Sequence, residues 1–138
     1  MSKVFIDTNI LVYTMDQGEP RKQGLCRELL KRRMVEDRIV ISTQVMQEFF
    51  VAATRKLGAD PLLVKDVLHR FERFEVVQIT PARIEQAIDC SILHRISFWD
   101  ALIVTAAEEA RCAKIFSENL GDGQMIRGVT IENPLRDI

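Results

Sequence analysis

Short apolar segments alternate with longer amphipathic ones along the whole chain, and this alternation constrains the fold most strongly. The apolar segments are rich in β-branched residues, which is typical of buried strands. Strands separated by helices form βαβ units, whose sheet is parallel and has helices on both sides. We therefore predict a single-domain α/β/α sandwich with a mostly parallel sheet over residues 1–138, its strands being KVFI (3–6), RIVI (38–41), VVQI (76–79), KIF (114–116) and VTI (129–131).

Helix-start and helix-stop residues stand between these strands. Asp, Ser or Thr before an apolar run and Pro at a first helical position mark starts, and Gly58 is typical of a helix end. Six helices are predicted: one after Asp7-Thr8-Asn9, one from Pro20 to about Glu36, one from Ser42-Thr43 to about Leu57, one from Asp60-Pro61 to about Phe74, one from Thr80-Pro81 to near His94, and one from Ser97 to about Ala113.

Composition and charge narrow the functional classes. The net charge of −1 does not suit a protein that grips nucleic acid with its whole surface. Any such contact would use a local patch, and one segment offers it, although a solvated helix face has the same pattern. The basic residues of that segment are Arg21, Lys22, Arg27, Lys31, Arg32 and Arg33.

Cysteine usage and hydropathy predict a cytoplasmic protein without a membrane segment. The three cysteines are far apart and form no CxxC pair, so neither a disulfide framework nor a zinc site is expected. Reduced thiols suit the cytosol. No apolar run approaches the roughly 18 residues of a membrane helix, and a strand that begins by Lys3 excludes a signal peptide before it.

Three polar segments follow predicted strands, and two of them contain acids. They are Asp7-Thr8-Asn9, Ser42-Thr43 and the loop Ser117–Asp122. In open parallel sheets, ligands bind outside the carboxyl ends of the strands. We expect these segments to meet at one edge of the sheet.

Two further carboxylates lie on helices where a purely structural role is awkward. Glu48 projects near the apolar stripe of its helix, and Asp100 is the only charge before Glu108 on a nearly all-apolar helix. A buried carboxylate without a partner is costly, so both indicate function. Structural alternatives remain: Arg55 as a partner for Glu48, and a capping box between Ser97 and Asp100.

The acids after the strands also have structural alternatives. Asp7 could be a helix cap, although Thr8 would cap equally well. In the loop after KIF, Glu118, Asn119 and Asp122 are all candidates, and Asp122-Gly123 is also an ordinary turn dipeptide.

Convergent carboxylates repel each other unless a cation lies among them. Mg²⁺ and Mn²⁺ prefer oxygen ligands and use a few carboxylates together with water and phosphate. Such an ion polarises a phosphoryl oxygen and aligns attack on a phosphodiester. The residues alone thus predict a metal-dependent nuclease whose site combines Asp7, Glu48 and Asp100 with at least one of Glu118, Asn119 and Asp122.

The same segments resemble the PIN-domain family, specifically the VapC-like toxins of type II toxin–antitoxin systems. The matching stretches are VFIDTNILVY, ISTQVMQEF, SFWDALIVTAA and IFSENLGDGQMIRGVTIENP. The resemblance spans the whole chain, and the first and third stretches are its specific part. It implies a small α/β/α domain with Mg²⁺- or Mn²⁺-dependent endoribonuclease activity, a cognate antitoxin that covers the site, and a homodimer.

The resemblance also assigns roles residue by residue. It implies that Asp7, Glu48 and Asp100 are the first three acids. Many members carry the fourth acid at the position of Asn119, whereas others carry Asn there and an acid three residues later, which assigns the fourth role to Asp122 here. Asp7 and Asp100 are then expected to hold the metal, with Glu48 and Asp122 completing the site or orienting water. Asp16 matches an acid of the same subgroup. The supporting polar positions are Thr8, Asn9, Asn119, and the hydroxyl of Ser42 or Thr43.

Three other functions remain open at this point. A phosphatase of the haloacid dehalogenase type also begins strand-Asp-x, but it needs Asp-x-Asp, and this chain has Asn9. A non-catalytic RNA- or protein-binding module on the same fold would bind no metal. An RNA-processing PIN nuclease outside a toxin–antitoxin system would have the same site as a toxin.

Overall fold

The structure, a computed structural model, describes residues 2–138. Each of the first three strands is followed by two helices, whereas the last three strands follow one another without a helix between them. The strands are β1 (Lys3–Ile6), β2 (Arg38–Ser42), β3 (Glu75–Val77), β4 (Lys114–Phe116), β5 (Met125–Ile126) and β6 (Val129–Glu132). The helices are α1 (Thr8–Tyr13), α2 (Pro20–Glu36), α3 (Thr43–Val51), α4 (Pro61–Phe71), α5 (Pro81–His94) and α6 (Phe98–Glu109), with a π-helical turn (Ala52–Lys56) directly after α3.

One sheet of six strands forms the centre of the domain, in the order β3-β2-β1-β4-β6-β5. All neighbouring pairs are parallel except β5 and β6, which are antiparallel. Successive side chains of a strand point to opposite faces. Because Val4, Phe5 and Ile6 of the central strand β1 are all buried, both faces of the sheet are covered. The predicted α/β class with a mostly parallel sheet is confirmed.

The register of β1 and β4 determines where the first candidate residues lie. Ile6 pairs with Phe116, so the next residues, Asp7 and Ser117, leave the sheet side by side at its carboxyl edge. The Asp7 N–H donates to the Phe116 carbonyl at 3.0 Å, which extends this pairing by one step. The sequence alone does not show which strands are neighbours.

Helix α6 packs against strands β2, β4 and β6 of the sheet. Its residues from Ala101 to Ala107 are all buried, which explains its nearly continuous apolar sequence. Helix α5 packs along α6 through Ala87 and Cys90. Asp100 therefore lies at the exposed beginning of a core helix.

Several predicted boundaries were wrong. Helix α4 ends at Phe71, because Arg73 and Phe74 form tight turns onto the Arg70 and Phe71 carbonyls. Helix α6 ends at Glu109, before the left-handed backbone of Arg111. Strand β3 is Glu75–Val77, and the two-residue β5 was not predicted. Gly58 ends its helix as expected, with a φ of +68°.

Within residues 2–138, no single helix is long and apolar enough to cross a membrane. Helices α5 and α6 meet such a criterion only together, as a pair bent by 112°.

Candidate active site

A cleft of about 360 Å³ opens at the carboxyl edge of the sheet, above β1 and beside the start of α6. Residues from α1, α3, the π-helical turn, α6 and the loop after β4 line it. Most of the sequence-predicted polar positions are among them. The lining residues are Asp7, Thr8, Asn9, Val12, Tyr13, Asp16, Gln44, Glu48, Ala52, Lys56, Trp99, Asp100, Ile103, Glu118 and Asn119.

Asp7 is the most buried acid of the cleft, with 6% of its surface exposed. Its carboxylate accepts hydrogen bonds from the Thr8 N–H and the Ser117 hydroxyl, each at 2.7 Å, and from Asn9 Nδ2 at 3.5 Å. Burial raises the pKa of Asp7 above its ordinary value; the hydrogen bonds from Ser117 and Thr8 oppose this, and the charges of Glu48 and Asp100 add to it. Asp7 also begins α1, so the cap and a place in the acid cleft are compatible.

Glu48 reaches the cleft from α3, and its partners are not those of a surface ion pair. The Thr8 hydroxyl donates to Glu48 Oε1 at 2.7 Å, and Gln44 Nε2 donates to Oε2 at 3.3 Å. Arg55, the structural alternative considered from sequence, takes no part in these contacts. Glu48 is therefore held beside Asp7 by uncharged donors, which leave its negative charge uncompensated.

Asp100 enters the cleft from the first turn of α6. The Ser97 hydroxyl caps this helix by accepting the Asp100 N–H at 3.0 Å. The reverse half of a capping box, from the Ser97 N–H to the Asp100 carboxylate, is not formed among the hydrogen bonds of residues 2–138. The Asp100 carboxylate thus lines the cleft without serving as a cap.

Three further lining residues, Asn9, Tyr13 and Glu118, form a hydrogen-bonded group with Lys22, which does not itself line the cleft. Asn9 Oδ1 accepts the Glu118 N–H at 3.1 Å, and the Glu118 carboxylate accepts from the Tyr13 hydroxyl at 2.7 Å and Lys22 Nζ at 2.9 Å. Although burial opposes it, the bonds from Tyr13 and Lys22 hold the pKa of Glu118 below its ordinary value. Glu118 is therefore a carboxylate whose charge is paired with Lys22, and it fixes the loop after β4 against α1 and α2.

The loop Ser117–Asp122 brings Asn119 to the cleft but not Asp122. Asp122 accepts the Asn133 N–H at 2.8 Å and pairs with Arg136 at 2.9 Å, outside the residues that line the cleft. These donors lower the pKa of Asp122 and hold it near the C-terminal segment. The expectation that Asp122 completes the acid cluster must be corrected, and Asn119 is the residue of this loop that reaches the cleft beside Glu118.

The hydroxyl groups of Ser42, the last residue of β2, and of Thr43 do not line the cleft. Ser42 Oγ accepts the Val45 N–H at 3.3 Å and so caps α3. Thr43 Oγ1 accepts the Ile79 N–H at 3.1 Å. The supporting role expected for Ser42 or Thr43 is therefore indirect, because they hold the helix that carries Glu48.

The cleft suits a hard divalent cation by its donor chemistry. Asp7, Glu48 and Asp100 offer carboxylate oxygens, and because burial and the neighbouring acids disfavour the charged form of Asp7, a cation among them would stabilise it. Over the described part of the chain, no three acidic, His or Cys side chains are close enough to enclose one ion on their own. Mg²⁺ usually binds one or two carboxylates together with water and phosphate.

Part of the basic segment of α2 is occupied within the chain. Lys22 binds Glu118, Arg27 donates to the Thr14 carbonyl, and Arg33 pairs with Asp37. Arg21, Lys31 and Arg32 remain exposed. The predicted patch is therefore smaller than its sequence suggests.

Sequence reasoning missed four polar contributors. Ser117 and Gln44 hold Asp7 and Glu48, and Tyr13 and Lys22 hold Glu118. The position of Ser117 directly after a strand was the one available signal. Gln44, in the first turn of a helix, is indistinguishable in sequence from an ordinary exposed residue.

Comparison with protein-family models gives a match to the PIN domain over residues 4–120. A comparison with curated protein sequences gives no significant match.

Solved structures with the same fold cover nearly all of the chain at low sequence identity. VapC20 of Mycobacterium tuberculosis, described as a sarcin-ricin loop cleaving toxin, is 20% identical with a TM-score of 0.67, covering 84% of this chain and 91% of its own. VapBC2 of Rickettsia felis, bound to a promoter DNA fragment, is 18% identical with a TM-score of 0.66, and the match covers 95% of this chain and 98% of its own. A toxin–antitoxin complex from Klebsiella pneumoniae is 19% identical with a TM-score of 0.69, and the match covers 95% of this chain and 97% of its own.

These three structures agree with the α/β architecture observed here, and the family match covers β1 through the loop after β4. That range includes every acid that lines the cleft. The chain belongs to the PIN domain family.

Proposed function

We propose that this protein is a divalent-metal-dependent endoribonuclease that hydrolyses RNA phosphodiester bonds. The observation that carries the proposal is the convergence of Asp7, Glu48 and Asp100, from three separate elements, in one cleft. Membership of the PIN domain family and the fold shared with a sarcin-ricin loop cleaving toxin support it.

The proposed roles follow from how each acid is held. Asp7 and Asp100 would hold Mg²⁺ or Mn²⁺, which supplies Lewis-acid polarisation of a phosphoryl oxygen when bound. Hydrogen bonds from Ser117 and Thr8 fix the Asp7 carboxylate, so its orientation does not depend on substrate. Glu48 is fixed by Thr8 and Gln44 and would orient the attacking water. We place Asn119, rather than Asp122, at the fourth position.

Cleavage of RNA in the presence of Mg²⁺ tests this function. We compare the wild type with Asp7→Asn, and with Asp89→Asn as a matched control on the exposed surface of α5. Loss of even an outer-shell partner of a metal ligand costs about 10- to 100-fold. We therefore expect Asp7→Asn to lose at least about 100-fold in rate and Asp89→Asn to retain full activity. Equal cleavage by the wild type and Asp7→Asn would rule out the proposed mechanism.

A titration with Mn²⁺ in a calorimeter separates the nuclease from a non-catalytic binding module on the same fold. Saturable binding that is lost in Asp100→Asn supports the nuclease. A wild type that binds no metal but still binds RNA or protein supports the module.

We further propose that the protein acts in the cytoplasm as the toxin of a toxin–antitoxin pair. Two of the solved structures with its fold are described as VapBC2 and as a toxin–antitoxin complex. An exposed apolar hollow between α3 and α4, lined by Met46, Phe50, Val51 and Leu68, offers a surface for a partner such as an antitoxin. A short adjacent reading frame for a small DNA-binding protein would favour the toxin over an RNA-processing nuclease.

A homodimer is the second assembly that we propose. An apolar stripe on α5, formed by the exposed side chains of Ile84, Ile88, Ile92 and Leu93, supports it.

A further inference from the structure

Trp99 is a large apolar side chain exposed at the edge of the acid cleft. It keeps 61% of its surface exposed and lies in the first turn of α6, directly before Asp100. Among the exposed large apolar residues of the described chain, Trp99 is the one that lines this cleft. Single exposed apolar residues are common, but this one adjoins a proposed metal ligand.

The structure holds Trp99 in place from two directions. Its carbonyl accepts a hydrogen bond from Gln44 Nε2 at 3.2 Å, and the same amide group binds Glu48. Gln44 itself is 5% exposed, and this link between α3 and α6 is partly buried. The indole also meets the Phe98 ring edge-on, with centroids 5.2 Å apart and planes at 70°. A side chain fixed in this way loses little freedom when a ligand binds.

The charges of the cleft indicate which part of an RNA an exposed aromatic side chain would bind there. Five acids, Asp7, Asp16, Glu48, Asp100 and Glu118, line the cleft with one basic residue, Lys56, and without metal the excess of acids repels a polyanion. Nucleobases are the uncharged part of RNA, and their faces stack on aromatic side chains whatever their sequence. On the basis of the proposed ribonuclease activity, we propose that Trp99 is a stacking platform for an unpaired nucleobase next to the cleaved phosphate.

This placement makes Trp99 selective for the state of the RNA rather than for its sequence. A base within a duplex has both faces covered by its neighbours, so it must leave the stack before it meets an indole. Loops and single strands present bases that are already free. The platform therefore favours cleavage within single-stranded or looped segments.

Fluorescence reports on this contact directly, because Trp99 is the only tryptophan of the chain. We titrate the Asp7→Asn variant, which the proposed function makes inactive, in Mg²⁺ with an unlabelled single-stranded RNA of mixed sequence and with the same strand annealed to its complement. We expect the single strand to quench the emission and the duplex to leave it nearly unchanged. Anisotropy of labelled copies of both RNAs measures binding independently.

Two substitutions separate stacking from mere apolar contact. Trp99→Phe keeps an aromatic face, whereas Trp99→Leu keeps only apolar volume. We expect Trp99→Leu to weaken single-strand binding and raise KM by about tenfold, and Trp99→Phe to stay within about threefold of the wild type. Phe50→Leu is the matched control, since Phe50 is an exposed aromatic residue (38%) outside the cleft.

The possible outcomes distinguish this inference from the proposed function. Cleavage without quenching, or equal effects of the Leu and Phe variants, would overturn the stacking platform and leave the ribonuclease standing. Quenching by single strands without metal-dependent cleavage would overturn the ribonuclease and leave the platform standing. Emission that changes with protein concentration but not with RNA would place Trp99 in a contact between proteins and also overturn the proposal.

Discussion

Opposing effects act on the protonation state of Asp7. Its burial favours the neutral acid, whereas two hydrogen-bond donors and any bound cation favour the carboxylate. The pKa in the folded chain is raised above the ordinary value of 3.8, and an unfolded chain keeps that value. Between these two pH values the folded state binds more protons, so stability falls as the pH rises through the raised pKa.

Because the folded state disfavours the charged form of Asp7, we expect Asp7→Asn to stabilise the metal-free protein at neutral pH. The change removes a buried charge, and about 1 kcal/mol corresponds to roughly 4 °C in a domain of this size, so we expect the Tm to rise by a few degrees. The advantage should shrink as the pH falls through the raised pKa and below 3.8, where the wild-type acid becomes protonated in both states. Thermal unfolding in EDTA over this pH range measures it.

Addition of Mg²⁺ provides the control for this prediction. The ion should raise the Tm of the wild type more than that of Asp7→Asn, because binding to the folded state alone stabilises it. A variant that melts below the wild type at neutral pH in EDTA would show that the hydrogen bonds to Asp7 outweigh its burial.

At the scale of single residues, the sequence identifies acids better than it identifies their partners. Glu48 and Asp100 are recognisable because a carboxylate on an apolar helix face needs a reason. Gln44 stands four residues before Glu48 and Ser117 directly follows a strand, but both are uncharged and have ordinary structural explanations, so their positions alone do not assign them to the site. Two of the contacts that place them there join residues 55 and 110 positions apart, from Gln44 to Trp99 and from Ser117 to Asp7.

Among the elements, the loop after β4 departs most from what the sequence suggests. Its spacing offers Asn119 and Asp122 for the same role, and a carboxylate is the stronger candidate by chemistry alone. Arg136, from the C-terminal segment, pairs with Asp122 away from the cleft, whereas Asn119 lines it. The short β5, which also follows this loop, has two residues and too little pattern to be predicted.

This loop predicts opposite results for two similar substitutions. Asn119→Ala removes a polar group that lines the cleft, so we expect RNA cleavage to fall by about tenfold. Asp122→Ala removes the exposed pair with Arg136 and the bond to the Asn133 N–H, so it should lower the Tm slightly and leave cleavage within about twofold. Initial rates of RNA cleavage for both variants, measured at equal folded fraction, test the contrast. The reverse order of effects would return the fourth catalytic position to Asp122.

At the scale of the whole molecule, the alternation of strands and helices was enough to predict the class of fold. The strand order was not predictable, because it depends on which apolar faces meet. Nor was it predictable which apolar helix residues stay outside the core. Helix α6 is buried as its composition suggests, yet α5 buries Ala87 and Cys90 and exposes its larger apolar side chains.

The exposed face of α5 is an apolar stripe. Ile84, Ile88 and Ile92 follow each other at intervals of four residues, with 39%, 45% and 72% of their surfaces exposed, and Leu93 beside them is 71% exposed. Residues four apart share one helix face. A face of this kind in contact with water suits a symmetric contact with a second copy, in which the same stripe packs on itself.

We therefore expect the wild type to be a dimer in solution and Ile88→Lys to be a monomer. A charge at the centre of an apolar interface costs about 2 kcal/mol or more, which raises the dimer Kd by roughly 30-fold. Light scattering after size-exclusion chromatography, over a range of protein concentrations, measures the mass. Val35→Lys is the matched control, because Val35 is 76% exposed on α2, away from the stripe, and should leave the dimer intact. A monomeric wild type, or a dimer that survives Ile88→Lys unchanged, would exclude α5 as the interface.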